Sequence, residues 1–202
     1  SAGDALFWAA RAAAARKQFQ RAVGYDDRLV SQFPDHPKAD EALYYQGESL
    51  VELGDYPAAL ARFEAVVRRQ PDTFLGFAAR GRRGDCQFTL GAEDPARFEE
   101  AIRSYREIAE DPKAPFELRL QSAFKLGRGE QKLGRSEAAF ERYYTQVVLA
   151  YLEARHAGRP LNDSCTAWFT RAAFEAAAIL ESRGEWRRAV RLYQRVADAG
   201  VP

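Results

Sequence analysis

Residues 4–35 overlay residues 41–72 without a gap, at a constant offset of 37. Leu6 falls on Leu43, Phe7 on Tyr44, Trp8 on Tyr45, Phe19 on Tyr56, Ala22 on Ala59, Leu29 on Val66 and Pro34-Asp35 on Pro71-Asp72. A period of this length marks a stack of like supersecondary units. Each is too small to bury its own apolar face, so neighbours complete the core. Such stacks present surfaces more often than they carry active sites.

The second repeat shows what each unit is. From Ala39 to Gly54, the residues Leu43, Gly47, Leu50 and Leu53 recur at spacings of four, three and three, which is one face of a helix. Gly54-Asp55 breaks it, with Asp55 as N-cap of the next helix and Pro57 tolerated in its first turn. From Tyr56 to Gln70, Ala59, Phe63 and Val66 share a face, and Pro71-Asp72 ends the segment. The spacing predicts a helical hairpin.

These residues resemble the tetratricopeptide repeat. Leu43, Gly47, Gly54, Tyr56, Ala59, Phe63, Val66 and Pro71 stand in the register of that motif, and so do Leu6, Ala10, Phe19, Ala22, Leu29 and Pro34. The first repeat departs from it with Lys17 at the turn glycine and Asp26 at the second aromatic. Later repeats continue the pattern through Gly84 and Gly91, then Phe98, Ala101, Tyr105 and Ile108, then Gly127, Gly134, Ala139 and Tyr143, and last Ala177, Gly184, Trp186, Ala189, Tyr193 and Val196. The resemblance implies an all-α fold, a right-handed α-solenoid of about five hairpins. We expect one solenoid over residues 1–202, with repeats near 3–37, 38–72, 73–112, 114–157 and 161–202.

Two stretches deviate. An insertion, Ala92 to Arg97, lengthens one turn, with Asp94 as expected N-cap and Pro95 opening the helix. The segment Ser136 to Ala157 exceeds a normal second helix before Gly158-Arg159-Pro160 stops it, and Asn162-Asp163-Ser164 offers N-caps for the next. At the chain end, Leu192, Tyr193 and Val196 are expected on a face that no later helix covers, beside Val201-Pro202. A continuation of the chain or a second copy would cover it. The chain holds no methionine, which suggests a processed form or a fragment, with Ser1-Ala2-Gly3 as a tag remnant.

Composition narrows the function. Lys plus Arg number 30 against 29 Asp plus Glu, so there is no basic surplus for nucleic acid. No apolar run is long enough to span a membrane. Cys86 and Cys165 form no CxxC pair and read as small packing residues. His36 and His156 have no partner at metal-ligand spacing. Gly127-Arg128-Gly129 lacks the order of a phosphate loop, and Gly81-Arg82-Arg83-Gly84 lacks the flanks of a KH loop. Arg83-Gly84-Asp85 falls inside a first helix by register. We expect no catalytic residue, cofactor or metal, and no enzyme.

In the family it resembles, first helices line a concave groove, and the residue after the large apolar position points in. That position holds Phe7, Tyr44, Gly81, Phe124 and Phe174; four along the same face stand Arg11, Glu48, Asp85, Arg128 and Ala178. Aromatic anchors flanked by both signs of charge suit a peptide segment. The other reading of the same rings is packing between helices. Two basic clusters, Arg80/Arg82/Arg83 and Arg187/Arg188/Arg191, are solvated faces or anionic docks.

The expected function is a non-enzymatic scaffold binding a protein or peptide through Phe7, Arg11, Tyr44, Glu48, Asp85, Phe124, Arg128 and Phe174. The alternative is a regulatory or targeting module of a larger, catalytic protein. The run Phe33 to Tyr45 resembles repeat proteins of the bacterial cell envelope, of the Tol–Pal-associated or outer-membrane assembly type, which implies a periplasmic or envelope setting.

Overall fold

The computed structural model describes residues 1–199. Among them are eleven α-helices and one π-helical stretch: α1 Ala2–Ala15, α2 Phe19–Gln32, α3 Ala39–Glu52, α4 Tyr56–Arg69, α5 Phe74–Leu90, α6 Ala96–Ala109, α7 Phe116–Lys132, α8 Ser136–Glu141, π1 Arg142–Leu149, α9 Ala150–His156, α10 Asp163–Ser182 and α11 Trp186–Asp198. The chain is an all-α solenoid of five hairpins. It falls into two compact units, Ser1–Ser104 and Tyr105–Pro202, divided inside α6.

The hairpin ends obey local chemistry. Asp55 accepts from the Ala58 amide and caps α4, Thr73 caps α5, and Asn162 accepts from the Cys165 amide and caps α10. Asp94 accepts from the Ala96 amide, so the insertion closes as expected. Ser1 and Asp4 form a capping box on α1, and Gly3 is buried against His36. The residues expected to be a remnant thus open the first helix.

The turns between paired helices need a left-handed residue. Gly54, Gly134 and Gly184 supply it at φ of 78°, 73° and 72°, and Lys17 supplies it at 59°. Gly91, at the corresponding place, is instead right-handed at φ −60°. The insertion changes that turn, and Gly91 is needed for space: a Cβ there would stand 2.5 Å from the Phe98 ring.

In the first compact unit each helix packs on the next, around Leu29, Ala42, Leu43, Ala59, Phe63 and Val66. Gly47 lets the Phe63 ring lie on α3, where an added Cβ would come within 2.7 Å of it. The second unit repeats the device with Gly127 and Tyr143, at 2.6 Å. The crossing alanines Ala59, Ala101, Ala139 and Ala189 are all buried. Burial of each large side chain contributes about 1.5–3 kcal/mol.

The long second helix of the fourth repeat is continuous from α8 through π1 to α9. Ala139, Tyr143, Val147 and Tyr151 form its buried row at a constant step of four. Leu192 and Val196, expected on an uncovered face, are buried beside Ala189 in the same core. That stripe of α11 faces α10, its own hairpin partner, and Tyr193 is half-buried with its hydroxyl donating to Glu181 at 2.9 Å. Trp186 and Val190 take the exposed side instead. Val201-Pro202 lie outside the described residues.

Candidate functional site

The first helices α1, α3 and α5 of the N-terminal compact unit carry most of the candidate residues. Phe7 is buried among Leu29, Ala39 and Ala42, so it is a packing residue and not an exposed anchor. Tyr44 is half-buried with its ring 5.7 Å from Phe63. Burial, with Glu48 nearby, pushes the Tyr44 hydroxyl up to about 12, so it is a neutral phenol at physiological pH.

The rings that meet solvent are one residue further on. Trp8 is 64% exposed and Tyr45 38% exposed. The Phe7 ring stands edge-on to both, at 5.3 Å and 6.4 Å. Arg11 joins the two helices, its guanidinium 4.1 Å above the Tyr45 ring while it donates to the buried Asp26 carboxylate. In these two repeats the step expected from the sequence is buried at Phe7 and half-buried at Tyr44. The signal was present, since Trp8 and Tyr45 already coincide in the 37-residue overlay.

At the same step in the third repeat stands Arg82. It donates from Nε to Glu48 and from Nη1 to Asp85, the latter at 3.3 Å. Glu48 and Asp85 are therefore brought together, but through Arg82 and half-buried. Arg83 meets Glu64 at 2.9 Å and the Ser104 hydroxyl at 3.0 Å, and Arg80 lies over the Phe77 ring. Arg82 and Arg83 are thus each paired with a carboxylate of the same unit.

In the C-terminal unit, Phe124 is buried, its ring 5.4 Å from both Tyr143 and Trp168. It too is core. Phe174 is 51% exposed and leans on Tyr193 at 5.5 Å. Arg128 is exposed on α7. Cys86 and Cys165 are buried thiols, the first pushed up to about 12 by burial, so neither is a nucleophile at neutral pH. Arg83-Gly84-Asp85 is helical, within α5. Among the described residues, no group of three or more His, Cys, Asp or Glu is placed to hold a metal, and no helix is long and apolar enough to cross a membrane.

A tetratricopeptide repeat model matches residues 44–115, and a second model of the same repeat matches residues 4–36, together a little over half of the chain. The chain belongs to the tetratricopeptide repeat family. Solved structures agree in fold. MamA from Desulfovibrio magneticus RS-1 is 14% identical with a TM-score of 0.65, over 97% of this chain and 93% of that one. A further MamA structure is 17% identical with a TM-score of 0.68, over 97% and 90%. The kinesin light chain TPR-like repeats of Podosopora anserina are 19% identical with a TM-score of 0.63, over 96% and 93%. No curated protein sequence matches the chain.

Within this tetratricopeptide frame the first repeat is the exception. Where the second and fourth repeats pack Phe63 and Tyr143 against a glycine of the first helix, it holds Asp26 at the same register, fully buried. Arg11 answers that carboxylate, which removes Arg11 from the set of open groove charges.

Proposed function

We propose that the chain is a non-enzymatic scaffold that binds a protein or peptide segment across the first helices of residues 1–104. The observation that carries this reading is the pair Trp8 and Tyr45. Two exposed rings, on the first helices of consecutive repeats, both stand edge-on to the Phe7 ring, and the Arg11 guanidinium lies over Tyr45. Tryptophan, tyrosine and arginine dominate the energetics of protein interfaces, because each offers large contact area with a polar handle. Glu48 and Asp85, tied by Arg82, supply charge beside them. Phe174 and Arg128 are candidate contacts of the second unit, taken by themselves. The likeness to MamA and to kinesin-light-chain repeats supports a scaffold in fold only. A cell-envelope setting rests on the run Phe33 to Tyr45 alone.

The test compares partner capture by wild type with capture by Trp8→Ala/Tyr45→Ala, after circular dichroism has established equal helicity. Loss of a partner from the folded double variant supports this face. Retention of every partner removes it.

A further inference from the structure

We infer that a cleft between α8–π1 and α11, on the second helices of the last two repeats, binds an acidic protein segment that inserts one apolar side chain. The cleft holds about 160 Å³. Leu180 and Leu192 form its floor. Its wall is Phe140 and Tyr144, one turn apart where α8 passes into π1, with rings stacked at 5.4 Å and 12°. Its rim is Arg188, Arg191 and Arg195, all on α11. The lining thus contains three arginines and no carboxylate.

This concentration of charge opposes folding, since like charges three and four residues apart on a helix repel. Arg82 and Arg83 of α5 escape that cost because carboxylates answer them. Among the described residues, no carboxylate pairs with Arg191 or Arg195 of α11. Arg191 has no ion pair or hydrogen bond among the described residues. Arg195 donates to the Tyr144 hydroxyl at 2.6 Å, and Arg188, itself exposed, pairs with the half-buried Glu185 that precedes α11, a contact of little strength. Arg188 and Arg195 lie over the Phe140 and Tyr144 rings at 5.6 Å and 5.8 Å, so each guanidinium is held in place with its outer edge toward solvent.

The chemistry of the occupant follows. Three guanidiniums on one rim, two of them held over rings, call for carboxylates. The apolar floor and stacked wall call for one aliphatic or aromatic side chain between them. A nucleic acid would need a basic track along its backbone and rings open for stacking on their faces. Here arginines already cover both rings, and net charge is only +1. The cleft belongs to the second compact unit, whereas the surface proposed above belongs to the first.

The probe is a short fluorescein-labelled peptide of aspartate and glutamate around a central phenylalanine, read by fluorescence anisotropy. Binding should weaken about tenfold when the phenylalanine is replaced by serine, and about tenfold in Arg188→Glu/Arg191→Glu. Arg187→Glu makes half that charge change, off the cleft, and should leave binding unchanged, as should Trp8→Ala/Tyr45→Ala. Should the double variant lose helicity, Arg191→Gln, at an exposed position, carries the test. Absence of binding, equal binding of the serine peptide, equal loss in Arg187→Glu, or tighter binding of an oligothymidylate of equal charge overturns the proposal.

Discussion

Asp26 is fully buried in the slot that Phe63 fills one repeat later, and the Arg11 guanidinium donates to it from the neighbouring helix. One carboxylate oxygen, Oδ1, has no hydrogen-bond partner. Desolvation outweighs the attraction of Arg11 and pushes the carboxyl up to about 7 from 3.8. Between those values the folded chain keeps a proton that the unfolded chain releases. The stabilising contribution is therefore full below about pH 4 and is lost as pH rises to about 7. Relative to Asp26→Asn, wild type should lose up to about 4 kcal/mol across this window. Urea midpoints of both proteins from pH 4 to 8 measure it. Parallel profiles would sink the assignment.

Lys17 adopts a backbone conformation that its counterparts reserve for glycine. A side chain there costs about 1 kcal/mol. Lys17→Gly should recover about 0.5–1 kcal/mol, net of the added freedom of the unfolded chain, and raise Tm by about 1–4 °C. Differential scanning fluorimetry is sufficient to see it. A lower Tm would mean that the lysine makes a compensating contact.

Two glycines in adjacent helices should respond oppositely to alanine. At Gly24, in α2, a Cβ meets nothing within 4 Å, so Gly24→Ala should stabilise by about 0.5–1 kcal/mol through helix propensity. At Gly47, in α3, the Cβ meets Phe63 at 2.7 Å. Phe63 is fully buried and cannot yield, so overpacking wins and Gly47→Ala should cost about 1–3 kcal/mol. Equal shifts for the two variants would contradict the packing described.

Phe7 and Trp8 are neighbours in sequence with different work. Phe7→Ala should cost about 3–5 kcal/mol of stability, as a buried ring does. Trp8→Ala should cost less than about 1 kcal/mol and act on partner binding instead. Chemical denaturation of the single variants separates them. If Trp8→Ala is the more destabilising, the site should be returned to Phe7.

The hairpins were legible because each is specified locally. The step of Leu43, Gly47 and Leu50, the cap at Asp55 and the stop at Pro71 were readable one turn at a time, and the described helices begin and end within a few residues of them. The candidate site was less legible. Whether Phe7 or Trp8 faces water depends on how α1 tilts against α2 and α3, which a single helix does not encode. Phe124 was misplaced for the same reason, since Trp168, from a later repeat, closes over it. The pairing of Glu48 with Asp85 through Arg82 joins α3 to α5, so spacing within either helix gave no hint of it. The stripe of Leu192 and Val196 was assigned to the wrong neighbour, because periodicity names a face without naming what covers it.

The row Ala139, Tyr143, Val147 and Tyr151 advances by four residues, whereas an α-helix turns once in about 3.6. On a straight α-helix each step would drift by about 40°, and Tyr151 would face away from Ala139 by about 120°. The wider closure of π1 takes up that drift. It keeps Tyr151 stacked on Phe169 at 4.3 Å, with its hydroxyl 2.9 Å from that of Thr166. The fourth repeat therefore behaves as a vernier. A single-residue deletion between Arg142 and Leu149 would leave eleven steps from Ala139 to Tyr151, about three ordinary α-helical turns, and return Tyr151 to within about 20° of its place, whereas a two-residue deletion would swing it by about 80° and unseat α9 from α10.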